Sequence, residues 1–173
     1  SVVVGAGAQA PCPITVVERE GCLGPDNRGV LAMLAVEHDF THLWLVDADT
    51  MCPPDTLARL LAHEKDIVGA SYNYRRDPPQ SVVKILTPGG EIRTPDPMPT
   101  QLFKAHAIGS GCQLISVDAL KRIPTPWFAL SWGAHGQLEK ADDLWFCDQA
   151  RSVGIETWCD PTIEAKHVGY KDY

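Results

Sequence analysis

Two spacings of apolar residues alternate along the first half of the chain. Val2–Val4 and Ile14–Val17 are short β-branched runs and predict strands. The Gly5–Pro13 link between them is too short for a helical crossover. From Asn27 to His38, Val30, Leu31, Leu34 and Ala35 fall at helical spacing. Leu43–Val46 is a continuous apolar run that ends on two aspartates, the pattern of a buried parallel strand with polar groups at its carboxyl end. Pro53-Pro54-Asp55 then opens a helix through about His63, with Leu57, Leu60 and Leu61 on one face. Ile67–Tyr72 is the next strand, so Leu43 to Tyr72 reads as strand–helix–strand.

The second half is more irregular. Val82–Leu86, the turn Pro88–Glu91 and Leu102–Ala107 predict a hairpin with a proline-rich loop over Thr94–Pro99. Gln113–Ser116 reads as a strand and Val117–Arg122 as a short helix. Asp142–Val153 is a helix with Leu144, Phe146, Cys147 and Ala150 inward and Gly154 as its stop. Ile155–Trp158 and Ile163–His167 are closing strands. The sum is an α/β fold with a mixed sheet, in one domain over residues 1–173.

Composition narrows the chemistry. The formal charge of −7 argues against a nucleic-acid partner, because phosphate backbones are held by Lys and Arg. It leaves room for a nucleotide whose diphosphate is held by a divalent cation on carboxylates. The six cysteines, at 12, 22, 52, 112, 147 and 159, include no C-x-x-C pair, against a zinc site. Nothing reads as a signal peptide or approaches the roughly 18 apolar residues of a spanning helix. The expectation is reduced, mostly buried thiols in a cytoplasmic protein.

Four features carry candidate chemistry. Asp47-Ala48-Asp49 puts two carboxylates, at i and i+2, on one side of extended backbone at a strand mouth. They suit a divalent ion and a diphosphate or ribose, or else cap the next helix. Asp142-Asp143 opens a helix, where carboxylates favour the dipole or supply a general base. His167 ends an alternating strand and is either structural or a metal ligand. Gly109-Ser110-Gly111 lets backbone approach a ligand closely, or forms a tight turn. Beside these four, Trp127, Phe128 and Trp132 are candidates for stacking on a bound ligand, or anchor loops in the core.

These features stand in a recognisable order. Thr41–Asp49 with Pro53–Leu57, Ile108–Cys112 with Leu114-Ile115, Pro126-Trp127-Phe128, Ala141–Cys147, and Trp158–Pro161 followed by His167–Tyr170 together resemble GT-A glycosyltransferases, especially family 2-like bacterial and phage enzymes. The match runs from about Asn27 to Tyr170. It implies a GT-A (nucleotide-diphospho-sugar transferase), Rossmann-like mixed sheet with a shortened N-terminal part. It assigns nucleotide and diphosphate contacts to Asp47, Asn27 and Arg28, with Arg28 replacing a basic residue that the family carries where this chain has Asp26. Asp47, Asp49 and His167 become ligands for Mn²⁺ or Mg²⁺, and Asp143 the base. Gly109, Ser110, Gly111, Trp127 and Asp142 fall on the acceptor side.

The implied reaction moves a sugar from a nucleotide-diphosphate donor to a hydroxyl of a glycan, lipid or protein acceptor, with inversion. Two other readings stand beside it: a nucleotide- or glycan-binding module without turnover, and a metal-dependent nucleotidyltransferase.

Overall fold

The computed structural model describes residues 2–3, 12–20 and 23–169. Val4, most of the Gly5–Pro13 link, Cys22 and Tyr170 lie outside them. Val2–Val3 (β1) pairs antiparallel with Val16–Val17 (β2), as a short link requires.

Five strands form the central sheet. They are His42–Val46 (β3), Ile67–Ser71 (β5), Phe103–Ala105 (β8), Cys112–Ser116 (β9) and Thr157–Glu164 (β12), in the order β3-β9-β5-β12-β8. β9 runs antiparallel to both β3 and β5, and β12 runs parallel to β5. The middle of this sheet is apolar without alternation: Ile67, Val68, Ala70, Cys112, Leu114, Ile115 and Cys159 are all buried. Such runs mark strands covered on both faces. Gly69 is required there, because a Cβ would stand 2.7 Å from the Cys112 carbonyl oxygen and 2.7 Å from Ile108 Cδ1.

Among the described residues four helices complete the α/β architecture: Gly24–Glu37 (α1), Thr56–Ala62 (α2), Val117–Arg122 (α3) and Asp142–Ser152 (α4). α1 packs on α3 and β3. Its fully buried positions are the small residues Ala32 and Ala35, with Leu31 and Val36 beside them, so the inner face is rotated slightly from the expected one. Ser116 caps α3 by accepting from the Ala119 N–H at 3.1 Å. α4 buries Phe146, Cys147 and Ala150, and Phe128 stacks on Phe146 with ring centroids 4.7 Å apart. Gly154 follows at φ 78°, the left-handed stop expected of a glycine there.

α2 is pinned to β12 by a polar cluster. Asp160 accepts from Thr162 Oγ1 at 2.6 Å and lies 2.9 Å from His63 Nε2, with Arg59 at 3.5 Å. Burial opposes ionisation of Asp160. The Thr162 and His63 hydrogen bonds and the Arg59 charge outweigh it and hold the carboxyl below its ordinary range.

Several expectations are corrected. β3 is not a buried parallel strand; it is an edge strand bonded antiparallel to β9, which inserts between β3 and β5. Val82–Leu86 and Leu102–Ala107 meet antiparallel at the isolated Lys84–Ala107 bridge and do not form a continuous hairpin. Gly90, at φ 84°, turns the chain so that Ile85–Leu86 (β6) pairs with Ile92–Arg93 (β7), and β8 joins the sheet edge against β12. The two closing strands are instead β12 and Lys166–His167 (β13). β12 continues through Pro161, which sits where the register slips between Asp160 and Glu164. A bulge there needs no ladder N–H from proline. Thr50–Met51 (β4), Ser131–Trp132 (β10) and Leu138–Lys140 (β11) were not anticipated. β4 pairs with β13 and sets His167 opposite Thr50.

Candidate functional site

β3, β5 and β12 share one direction, so their carboxyl ends lie on one rim with the Gly109–Gly111 turn that enters β9. Ligands of open α/β sheets bind at such rims. Asp47 and Asp49 leave β3 here, Tyr72 and Asn73 leave β5, and β13 returns His167. The Asp47 N–H donates to the Gly111 carbonyl at 3.1 Å and the Val168 N–H to the Asp49 carbonyl at 2.7 Å, which fixes the acidic turn.

Arg28, from α1, reaches into the rim. One terminal nitrogen donates to both Asp47 oxygens, at 2.6 and 2.7 Å, and the other donates to Asp142 Oδ2 at the start of α4. Burial works against the guanidinium charge, but the Asp47 and Asp142 carboxylates outweigh it and raise its pKa above the ordinary value. Neighbouring Asn27 has a buried side-chain oxygen without a hydrogen-bond partner.

Asp49 and His167 form the second cluster. His167 Nδ1 lies 2.8 Å from the Asn73 carbonyl, which can only accept, so Nδ1 carries the proton. The opposite nitrogen, Nε2, stands 3.7 Å from Asp49 Oδ1. The ring packs edge-on against Tyr72, with centroids 4.9 Å apart. Arg75 also pairs with Asp49, through two half-exposed side chains.

Asp143 is the third element. It follows Asp142 on α4, and its Oδ1 accepts the Leu144 N–H at 2.7 Å. Burial raises its pKa above the usual carboxylate range, and the adjacent Asp142 adds to the effect. Arg28 ties the neighbouring Asp142 to Asp47, which brings the start of α4, and Asp143 with it, to the same rim.

The donor chemistry at Asp49 and His167 fits a divalent cation. Adjacent octahedral ligands about 2.1 Å from one ion are separated by about 3 Å, so the pair, 3.7 Å apart, has to close slightly to share an ion. Asp47 is committed to Arg28 and does not join them. Among the described residues no three His, Cys, Asp or Glu side chains converge as ligands.

The expected acceptor-side residues divide. The glycines make room for a side chain of the protein: a Cβ on Gly109 would stand 2.2 Å from Tyr72 Oη, and one on Gly111 2.6 Å. The Gly111 N–H donates to that hydroxyl at 2.8 Å. Ser110 is buried, and its hydroxyl is without a partner. Trp127 anchors its loop by donating to the Leu120 and Ile123 carbonyls at 3.0 and 3.2 Å, and Phe128 is in the core. Trp132 remains exposed. Asp142 is buried against Arg28, not presented outward.

Tyr72, Tyr74, Arg75 and Lys84 escaped sequence reasoning. The run Tyr72-Asn73-Tyr74-Arg75-Arg76 follows an apolar strand as Asp47-Ala48-Asp49 does, and the same strand-end rule would have found it. A groove of about 490 Å³ along α1, lined by Leu23, Pro25, Val30, Met33 and Pro126 among others, contains none of the rim's carboxylates.

Neither a protein-family model nor a curated protein sequence matches the chain. Among solved structures, the crystal structure of A197 from STIV aligns with a TM-score of 0.57 and 18% identity, over 84% of this chain and 67% of that one. The likeness is one of fold. It supports the α/β architecture and leaves the chemistry to the residues of the rim.

Two outcomes are expected from this geometry. Arg28→Met leaves the Asp47 and Asp142 carboxylates partly buried and facing each other, so it should destabilise the protein by about 3 kcal/mol. Adding Asp142→Asn should recover part of that loss in urea denaturation. Equal stability of Arg28→Met and wild type would contradict the bridge.

The second concerns Asp143. Its raised native pKa means that the folded protein keeps a proton the unfolded chain has already lost. Its contribution is full below the ordinary Asp range and is lost as pH rises through the raised value. Asp143→Asn does not titrate and still accepts from Leu144. It should melt above wild type at neutral pH, with the gap closing in acid. A gap independent of pH would argue against a half-buried carboxylate.

Proposed function

We propose that the chain is a GT-A-like glycosyltransferase that moves a sugar from a nucleotide-diphosphate donor to an acceptor hydroxyl. The observation that carries this reading is one juxtaposition. The Asp49–His167 pair and the high-pKa Asp143 converge on a single strand-end rim. The first suits a cation and diphosphate, and the second, held above the ordinary carboxylate range, suits proton removal from a hydroxyl.

Asp143 is the general base. Its Oδ1 is taken by the Leu144 N–H, which leaves Oδ2 for the acceptor proton. Arg28 acts at one remove: by gripping Asp142 it fixes the first turn of α4 and thereby the direction of Asp143. Asp142 is a positioning residue in this arrangement and not an acceptor contact. Asn27 stands beside Arg28 with a buried, unpartnered oxygen, and would meet a donor group of the nucleotide by turning that side chain outward. Arg75 is exposed enough to turn from Asp49 to the diphosphate. Held by Asp49 and His167, Mn²⁺ or Mg²⁺ would neutralise charge developing on the departing diphosphate.

The rival reading, a nucleotide- or glycan-binding module without turnover, draws support from the same ion pairs. Arg28 and Arg75 neutralise Asp47 and Asp49 from within the protein.

Kinetics on Asp143→Asn separate the two. With a panel of nucleotide sugars, wild type should release free nucleoside diphosphate in the presence of an acceptor. The variant should bind donor as wild type does and turn over about 10²–10⁴-fold more slowly. Donor binding without nucleoside diphosphate release by wild type would favour the module. Release of pyrophosphate would favour nucleotidyl transfer, and a near-normal rate in the variant would exclude this base.

A further inference from the structure

Cys52 and Cys112 are 60 residues apart in sequence, yet their sulfurs lie 3.3 Å from each other. Cys52 follows β4, directly after the turn that carries Asp49. Cys112 opens β9, directly after the Gly109–Gly111 turn. All five described cysteines are free thiols. We propose that Cys52 and Cys112 form a redox-modification site, at which a peroxide converts the thiol pair into a disulfide that ties the acidic turn to the central strand.

The two sulfurs differ as an attacking and a resolving thiol should. Cys52 is half-buried and open to a small oxidant, whereas Cys112 is fully buried. The Cys112 hydrogen bond outweighs burial at Cys52 and holds its thiol below the ordinary range, while the same contact and burial push Cys112 up. A thiolate with a second thiol beside it is the arrangement of redox-sensing cysteines.

The steps balance. The Cys52 thiolate attacks one peroxide oxygen, the O–O bond breaks, and Cys52 becomes a sulfenic acid as hydroxide leaves. The Cys112 sulfur then attacks the Cys52 sulfur, the S–O bond breaks, and the sulfenic oxygen departs as water with the Cys112 proton. The thiols lose two electrons and the peroxide gains them. The sulfurs must close from 3.3 Å to the bonded length of about 2.05 Å, a small displacement for the loop side of the pair.

The other buried thiols are poor competitors. Burial pushes Cys147 up to about 11 and raises Cys159 further, and neither has a sulfur partner among the described residues.

The test uses the folded wild-type chain and hydrogen peroxide, followed by alkylation, digestion and mass spectrometry. The expected product is a cross-linked peptide pair containing Cys52 and Cys112, two hydrogens lighter than the thiols and split by dithiothreitol. The thermal midpoint of oxidised protein should rise, and this rise should be absent in Cys52→Ser. In Cys112→Ser, Cys52 should be trapped as a sulfenic acid by dimedone. Should that variant fail to fold, the wild-type peptide map still decides. Cys52 that stays alkylable, or that pairs with Cys12, would overturn the proposal. These readouts need neither donor nor metal, so they stand or fall apart from the transferase reading.

Discussion

A single guanidinium holds this molecule's acidic rim together. Asp47 arrives from the end of β3 and Asp142 from the start of α4, and on their own the two carboxylates would repel at close range. Arg28 sits between them with its side chain only 16% exposed and bonds to both. Charges removed from water are costly unless paired with good geometry, and here one cation satisfies two anions. The bridge joins α1, β3 and α4. It also explains why the adjacent aspartates of α4 differ: Asp142 is consumed by Arg28, and Asp143 is left half-buried with a raised pKa.

A second constraint acts from the other side of the rim. Tyr72 inserts its hydroxyl against Gly109 and Gly111, accepts the Gly111 N–H, and sets its ring edge-on to His167. The histidine is thus oriented by Tyr72 and by the Asn73 carbonyl, both from the end of β5. Its free nitrogen points at Asp49 because β12 bulges near Pro161 before β13 pairs with β4. Backbone irregularity in the sheet therefore becomes side-chain placement at the site.

Much of this could be read in the sequence. Leu43–Val46 ending on Asp47 and Asp49, the short helix Val117–Arg122 and the Gly154 stop of α4 are local signals, and each formed where expected. The insertion of β9 between β3 and β5 was not legible, because an apolar run does not say which neighbours it will pair with. Gly109–Gly111 forms the turn that was one of its two readings, and the close approach its glycines admit is that of Tyr72, which lies 37 residues or more away. Arg28 was recognised as a candidate, yet its bridge to Asp142 spans 114 residues and depends on tertiary packing. Short-range pattern gave residue types and rims; long-range pairing decided which carboxylate stayed free.

The account turns on whether this rim binds a nucleotide diphosphate with a cation's help. The most direct measurement is the thermal midpoint of the wild-type chain across a panel of nucleotide sugars, with and without Mn²⁺. A ligand that binds only the folded state stabilises it by about 2.7 kcal/mol at 100 times its Kd. At least one nucleotide sugar should raise the midpoint, and the rise should be larger with Mn²⁺ present. No shift with any nucleotide sugar, alone or with Mn²⁺, would contradict the account.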